Sequence, residues 1–276
     1  MLVPSTAAPS SQVIAAFGET GSAAPLTGGR GESWRVGRLV LKPLDRSLTS
    51  LEWEATEFAS LRPEGVRLSA PIRALDGSLV VEGWSASLFI EGAHESRRWF
   101  DIIAAGESLH RATARLARPS FLEAGGDPWA VGDRVAWGEL SPDGFTTVPH
   151  ISRLLAQLRQ IDDAPSQLVH GDLTGNVLFA NGLPPGIIDF SPYWRPPGLA
   201  SAIVVADALV WEGADESLLQ AVRHVRSFPQ LLVRALISRI VTDEVHRRTD
   251  PSSYVDAAAY AQAVDIACAL CAAELR

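Results

Sequence analysis

LVHGDLTGNVLF, Leu168–Phe179, is the stretch on which the reading of this chain turns. Apolar residues run up to it and away from it, and a His, an Asp and an Asn stand between them. That is the pattern of a polar loop between two buried strands. A carboxylate held in such a loop can accept a proton from an attacking hydroxyl, which makes Asp172 a candidate general base. Asn176 can hold a metal ion nearby. Downstream, GIID (Gly186–Asp189) reads as an apolar strand that ends on Asp189. An Asn and an Asp suit Mg²⁺, which takes few protein ligands and several phosphate oxygens.

Upstream, LTGGRGESWRVGRLVLKPL (Leu26–Leu44) holds two strands, SWRV and LVLK, about a Gly37–Arg38 turn. Lys42 ends the second, where its ammonium can pair with phosphates. Gly28, Gly29 and Gly31 let backbone N–H groups approach those phosphates. Ser47–Leu61 places Leu51, Ala55, Phe58 and Leu61 at helical spacing, with a Ser or Thr available as cap. Strand character returns over Arg67–Gly92, as SLVVEGW and SASLFIEG after an Asp76–Gly77 turn. Before all of this, residues 1–12 have a disordered composition and SQVIAAFG reads as a short helix ending at Gly18.

From about Ala93 the pattern changes. Arg97–Leu116 puts Trp99, Ile102, Ile103, Gly106, Leu109, His110, Thr113 and Leu116 on one helical face. VPHISRLLAQLRQI (Val148–Ile161) reads as a second helix. NVLFANGLPPGIIDF reads as a hairpin turning near Asn181–Gly182, and the chain beyond Leu199 as mostly helical. The expected fold is α+β, with a small β-rich lobe over residues 1–92, a larger and mainly helical lobe over 93–276, and a hinge near Glu91 and Gly92. A cleft between lobes is a natural ligand site.

HGDLTGN, then IIDF, preceded by GGRG and VLK, resembles the protein-kinase-like fold. More narrowly it resembles the aminoglycoside phosphotransferase and choline-kinase branch, whose catalytic loop reads H-G-D, and within that a subfamily of actinobacterial type. The resemblance covers Leu26 to Trp211. It implies an ATP- and Mg²⁺-dependent kinase acting on a hydroxyl of a small molecule such as an aminoglycoside, a sugar or an amino alcohol. By the same resemblance Asp172 is the catalytic base, Asn176 and Asp189 bind Mg²⁺, and Lys42 contacts the α- and β-phosphates. Glu54 pairs with Lys42, with Glu52 and Glu57 as rivals, and the segment with Gly28, Gly29 and Gly31 covers the triphosphate. His170 braces the loop. Asp207 resembles the buried Asp that ties its helix to the loop, and it must have partners there.

Two features depart from the pattern. Kinases place four residues between the Asp and the Asn; here there are three, Leu173, Thr174 and Gly175. A special backbone conformation at Gly175 is the expected remedy. After Asp189, SPYWRPPGLA replaces the usual Gly-rich continuation, with Tyr193 and Trp194 either lining the substrate side or packing. The short loop also motivates an alternative, a kinase-like binding or regulatory protein without catalysis.

The 276 residues carry a formal charge of −8, which argues against general nucleic-acid binding. The longest apolar run, Gly198–Trp211, is too short to span a membrane and includes Asp207. The N-terminus lacks the charged start and apolar core of a signal peptide, so a cytoplasmic protein is expected. Cys268 and Cys271 fall on one buried face of an Ala/Leu-rich helix, with no second pair to complete a zinc site.

Overall fold

The computed structural model describes residues 7–27, 31–124, 126–162, 164–253 and 255–274. Contacts divide the chain into two compact units, Met1–Ala93 with Leu178–Asp189, and His94–Val177 with Phe190–Arg276.

The first unit opens with α1 (Ser11–Ala16), whose cap Ser10 accepts the Val13 N–H through its hydroxyl. Ser11 and Gln12 are thus helical, while residues 1–6 lie outside the described residues. β1 (Ala24–Pro25), β2 (Trp34–Val36) and β3 (Leu39–Pro43) follow, then α2 (Leu48–Phe58), β4 (Arg67–Leu68), β5 (Pro71–Ile72), β6 (Val80–Val81) and β7 (Trp84–Leu88). The sheet runs β1-β2-β3-β7-β5, with β6 also on β7, and these pairs are antiparallel. Alternation sends Val36, Leu39, Leu41 and Ala86 into a core with Val13, Ile14 and Phe17. Lys42 therefore projects from the opposite face. The β6–β7 hairpin turns at Glu82–Gly83, both in the left-handed region, so β7 begins at Trp84 and not after it.

The second unit begins with α3 (Trp99–Thr113), α4 (Pro128–Ala136), α5 (Ile151–Leu155) and β8 (Gln167–His170). α4 lies in a stretch without strong sequence periodicity. Asp127 caps it, accepting the Ala130 N–H. α5 is much shorter than the expected Val148–Ile161 helix. Beyond Leu155 the backbone turns to Gln230, which accepts the Arg159 N–H at 2.7 Å and donates to the Gln157 carbonyl at 3.0 Å.

β9 (Val177–Leu178) and β10 (Gly186–Ile187) carry the chain back to the first unit, where β10 lies parallel to β4. β11 (Pro192–Arg195) returns it to pair with β8, Pro192 opposite His170. Arg195 fixes β11 to α4 through Asp133, Nη2 to Oδ2 at 2.6 Å, and reaches Glu139 at 2.6 Å. α6 (Gly198–Trp211), α7 (Phe228–Thr249) and α8 (Ala261–Glu274) complete the unit.

By length and composition Pro251–Glu274 is apolar enough to cross a membrane. Here Ala263, Val264, Ile266 and Ala267 are buried, and Asp265 pairs with Arg153 at 2.5 Å. Cys271 is buried on the same helix and Cys268 half-buried. Among the described residues no group of three His, Cys, Asp or Glu side chains could hold a metal.

Candidate active site

In the second unit the loop is built outward from α3. Thr113 donates to the Leu168 carbonyl at 2.8 Å, and Gln167 donates to the His110 carbonyl at 2.6 Å. His110 accepts the His170 N–H on Nε2 at 3.0 Å. That nitrogen must be unprotonated, and burial, with His170 nearby, pushes the imidazole down to about 3. His170 in turn accepts the Asp172 N–H on Nδ1 at 3.1 Å. Each histidine hands the backbone of the loop to the next support, which is the bracing expected of His170.

The loop packs on both sides. A Cβ on Gly106 of α3 would stand 2.3 Å from Leu173 Cδ1, so a side chain there must displace that methyl group of the loop. A Cβ on Gly171 would stand 2.1 Å from the Tyr193 ring. Tyr193 thus packs against the loop, and Trp194 sits beside it in β11.

Asp172 keeps its side chain 41% exposed. Its Oδ1 accepts from Arg239 Nη2 at 3.1 Å, and its Oδ2 from Asn176 Nδ2 at 3.2 Å. Asn176 Nδ2 also donates to the Asp172 carbonyl at 2.8 Å. Gly175 lies in the left-handed region at φ 83° with open space around it, a special backbone conformation at the position where one was expected. Arg239 grips Asp207 through Nε at 2.9 Å and Nη2 at 2.7 Å. Asp207 therefore has the partner its burial demanded, and it reaches the loop through an arginine. Arg239 was missed from sequence. The signal was a cation in the apolar run LLVRALISRIV (Leu231–Val241), which calls for a buried counter-charge.

In the first unit Lys42 Nζ meets Asp189 Oδ1 at 3.1 Å and Asp45 Oδ2 at 2.9 Å. Burial pulls the ammonium pKa down, but the two carboxylates outweigh it and raise it. Asp189 itself is in the left-handed region at φ 48°. The expected Lys42–Glu54 pair is not made. Glu54, buried on α2, takes Arg46 at 2.5 Å instead. Arg46 stands one residue before the cap of α2, while Asp45 and Asp189 occupy the ammonium. Burial pushes Glu54 up to about 7, against the pull of Arg46. Gly31 is described, at φ 71°, whereas Gly28 and Gly29 lie outside the described residues.

A family model, the phosphotransferase enzyme family, matches residues 27–193, more than half of the chain. The chain belongs to that family. Solved structures match this phosphotransferase over nearly its whole length. An aminoglycoside phosphotransferase from Alicyclobacillus acidocaldarius shares 16% identity and a TM-score of 0.59 over 98% of both chains. Choline kinase LicA from Streptococcus pneumoniae shares 11% and 0.57 over 95% of this chain and 97% of its own. A spectinomycin phosphotransferase, in complex with ADP and spectinomycin, shares 16% and 0.56 over 89% and 92%. At these identities the likeness is one of fold, the protein-kinase-like fold. No curated protein matches the sequence.

Each unit by itself presents one oxygen donor of the kind Mg²⁺ takes, Asn176 in the second and Asp189 in the first. Asn176 commits its Nδ2 to Asp172, leaving Oδ1 as the oxygen to offer, and Asp189 offers a carboxylate that is 52% exposed. Both are the hard oxygen donors this ion prefers.

Proposed function

We propose that the phosphotransferase moves the γ-phosphoryl group of ATP, with Mg²⁺, onto a hydroxyl of a small molecule. The observation that carries this is Asp172, partly exposed in the family's loop and held at each oxygen by a different donor. The acceptor oxygen attacks the γ-phosphorus. The new O–P bond forms as the bond to the β-phosphate oxygen breaks, ADP leaves, and the hydroxyl proton passes to Asp172. Asn176 and Asp189 would hold Mg²⁺, which when bound offsets charge on the phosphate oxygens. Lys42 pairs with the α- and β-phosphates, exchanging carboxylate partners for phosphate ones. The segment with Gly28, Gly29 and Gly31 covers the triphosphate. The first unit thus serves the nucleotide, and the second supplies the base and receives the acceptor.

Structures of similar fold include an aminopropanol kinase as well as the aminoglycoside and choline enzymes. The acceptor class they support is an aminoglycoside or an amino alcohol, and a sugar stands on the sequence resemblance alone.

Thermal unfolding with ATP, in Mg²⁺ and then in EDTA, tests this reading. Ligand at about 100 times its Kd adds about 2.7 kcal/mol, a rise of several degrees. The shift should need Mg²⁺ and vanish in Asp189→Ala. Asp172→Asn should keep the shift and lose turnover. No shift with either ATP or GTP would sink the reading and leave a binding protein without catalysis.

A further inference from the structure

A general base must be pointed as well as present. The pointing here comes from two helices that carry no residue of the HGDLTGN loop. α6 presents Asp207, 5% exposed, from an almost wholly buried run. α7 presents Arg239 beside Ile237 and Ile240, both buried. Their contact is two-pronged, Nε to Oδ1 at 2.9 Å and Nη2 to Oδ2 at 2.7 Å. Such a fork fixes the plane of the guanidinium. The same Nη2 also meets Asp172 Oδ1 at 3.1 Å.

An arginine that served only to neutralise Asp207 could stop at Asp207. This one spans from the buried carboxylate to the half-exposed one, 67 positions away in sequence. We propose that Arg239 is a positioning residue for Asp172: anchored on Asp207, it sets the rotation of the Asp172 carboxylate, so that the base meets the acceptor hydroxyl in one orientation. The proposal rests on the phosphotransfer reading above. Asn176 holds the other oxygen at 3.2 Å, so the carboxylate is set from two directions. Lysine cannot replace the arginine, because a point charge has no planar fork to share between two carboxylates.

The test measures kcat and KM for ADP release from Mg²⁺-ATP with water as acceptor. The proteins are wild type, Asp172→Asn, Arg239→Gln, Arg239→Lys and the double variant Arg239→Gln/Asp207→Asn. The double variant removes both buried charges, so no carboxylate is orphaned and folding is protected. We expect kcat to fall about 10- to 100-fold in the Gln, Lys and double variants, as a misplaced reacting group does. KM for ATP should stay within about twofold, since ground-state binding is untouched. Added guanidinium ion should restore part of the turnover of the double variant. Full turnover in the double variant, with Asp172→Asn inactive, overturns the role of Arg239 and leaves the phosphotransfer reading standing. A rise in KM that matches the loss, with kcat unchanged, also overturns it. A wild-type protein that shows neither ADP release nor a Mg²⁺-dependent ATP shift ends both readings, whereas a Mg²⁺-dependent ATP shift without any effect of Arg239 on ADP release ends only this one.

Discussion

Gly171 is glycine because of what stands over it. The Tyr193 ring lies where a Cβ would be, with two ring carbons at 2.1 and 2.2 Å. This is a steric demand and not one of backbone conformation. Gly171→Ala must displace the ring or the loop. Overpacking of this kind costs about 1–3 kcal/mol, and the displaced loop takes Asp172 with it. Urea unfolding should show the loss of stability, and turnover should fall further than Kd for ATP rises. Unchanged stability would mean that Tyr193 moves aside freely. The sequence showed the H-G-D order but not this reason for its middle member, since Tyr193 lies 22 positions away and only the pairing of β11 with β8 brings it back.

The start of α2 carries a second lesson. Position within a helix does not choose an ion-pair partner; the approach of the neighbouring chain does. Glu54 is buried with Arg46, while Lys42 sits between two carboxylates that are 43% and 52% exposed. Arg46→Gln strips buried Glu54 of its cation, so the carboxyl takes up a proton and its hydrogen bond is lost, at a cost of about 1–3 kcal/mol. Lys42→Ala breaks half-exposed pairs, each worth about 0–1 kcal/mol. Urea midpoints should rank the two variants in that order, and the response to ATP should rank them in reverse, with Lys42→Ala losing it. α3, by contrast, was legible almost to its ends, because its buried face repeats at helical spacing from Ile102 to Thr113. α5 was overread, because Gln230, some 70 positions on, captures the backbone that would have continued it.

For the molecule as a whole, two buried titrating groups shape stability in opposite directions. His110 is held neutral, at about 3 against an ordinary 6.5. The unfolded chain takes up a proton below 6.5 that the folded chain refuses until about 3. His110 therefore supports the fold fully above pH 6.5, and that support drains away as the pH falls toward 3, by at most about 1.4 kcal/mol per pH unit. Glu54 rises to about 7 from 4.5. Its folded carboxyl keeps a proton that the unfolded one has released, so its support is full below 4.5 and is lost as the pH climbs through 7. Compared with wild type, His110→Gln should gain stability as the pH drops below 6.5, and Glu54→Gln as it rises toward 7. Urea unfolding across pH 4–8 reads both slopes, and a flat difference for either variant would mean that its group titrates normally in the fold.

Much of the order of strands, helices and polar loop, though neither α4 nor β11, was written in the one-dimensional pattern, because alternation and helical spacing are local properties that burial imposes on consecutive residues. The family was legible for the same reason, since H-G-D, Asn and IIDF are local in the chain. What local pattern could not hold was the choice of partner across long separations. Arg239 on Asp172 and Asp207, Tyr193 on Gly171 and Gln230 on the end of α5 all depend on which side chain the fold brings to a buried polar or tightly packed spot. Packing settles that, because a buried charge or backbone group must be met by whatever the folded neighbours bring within hydrogen-bond reach.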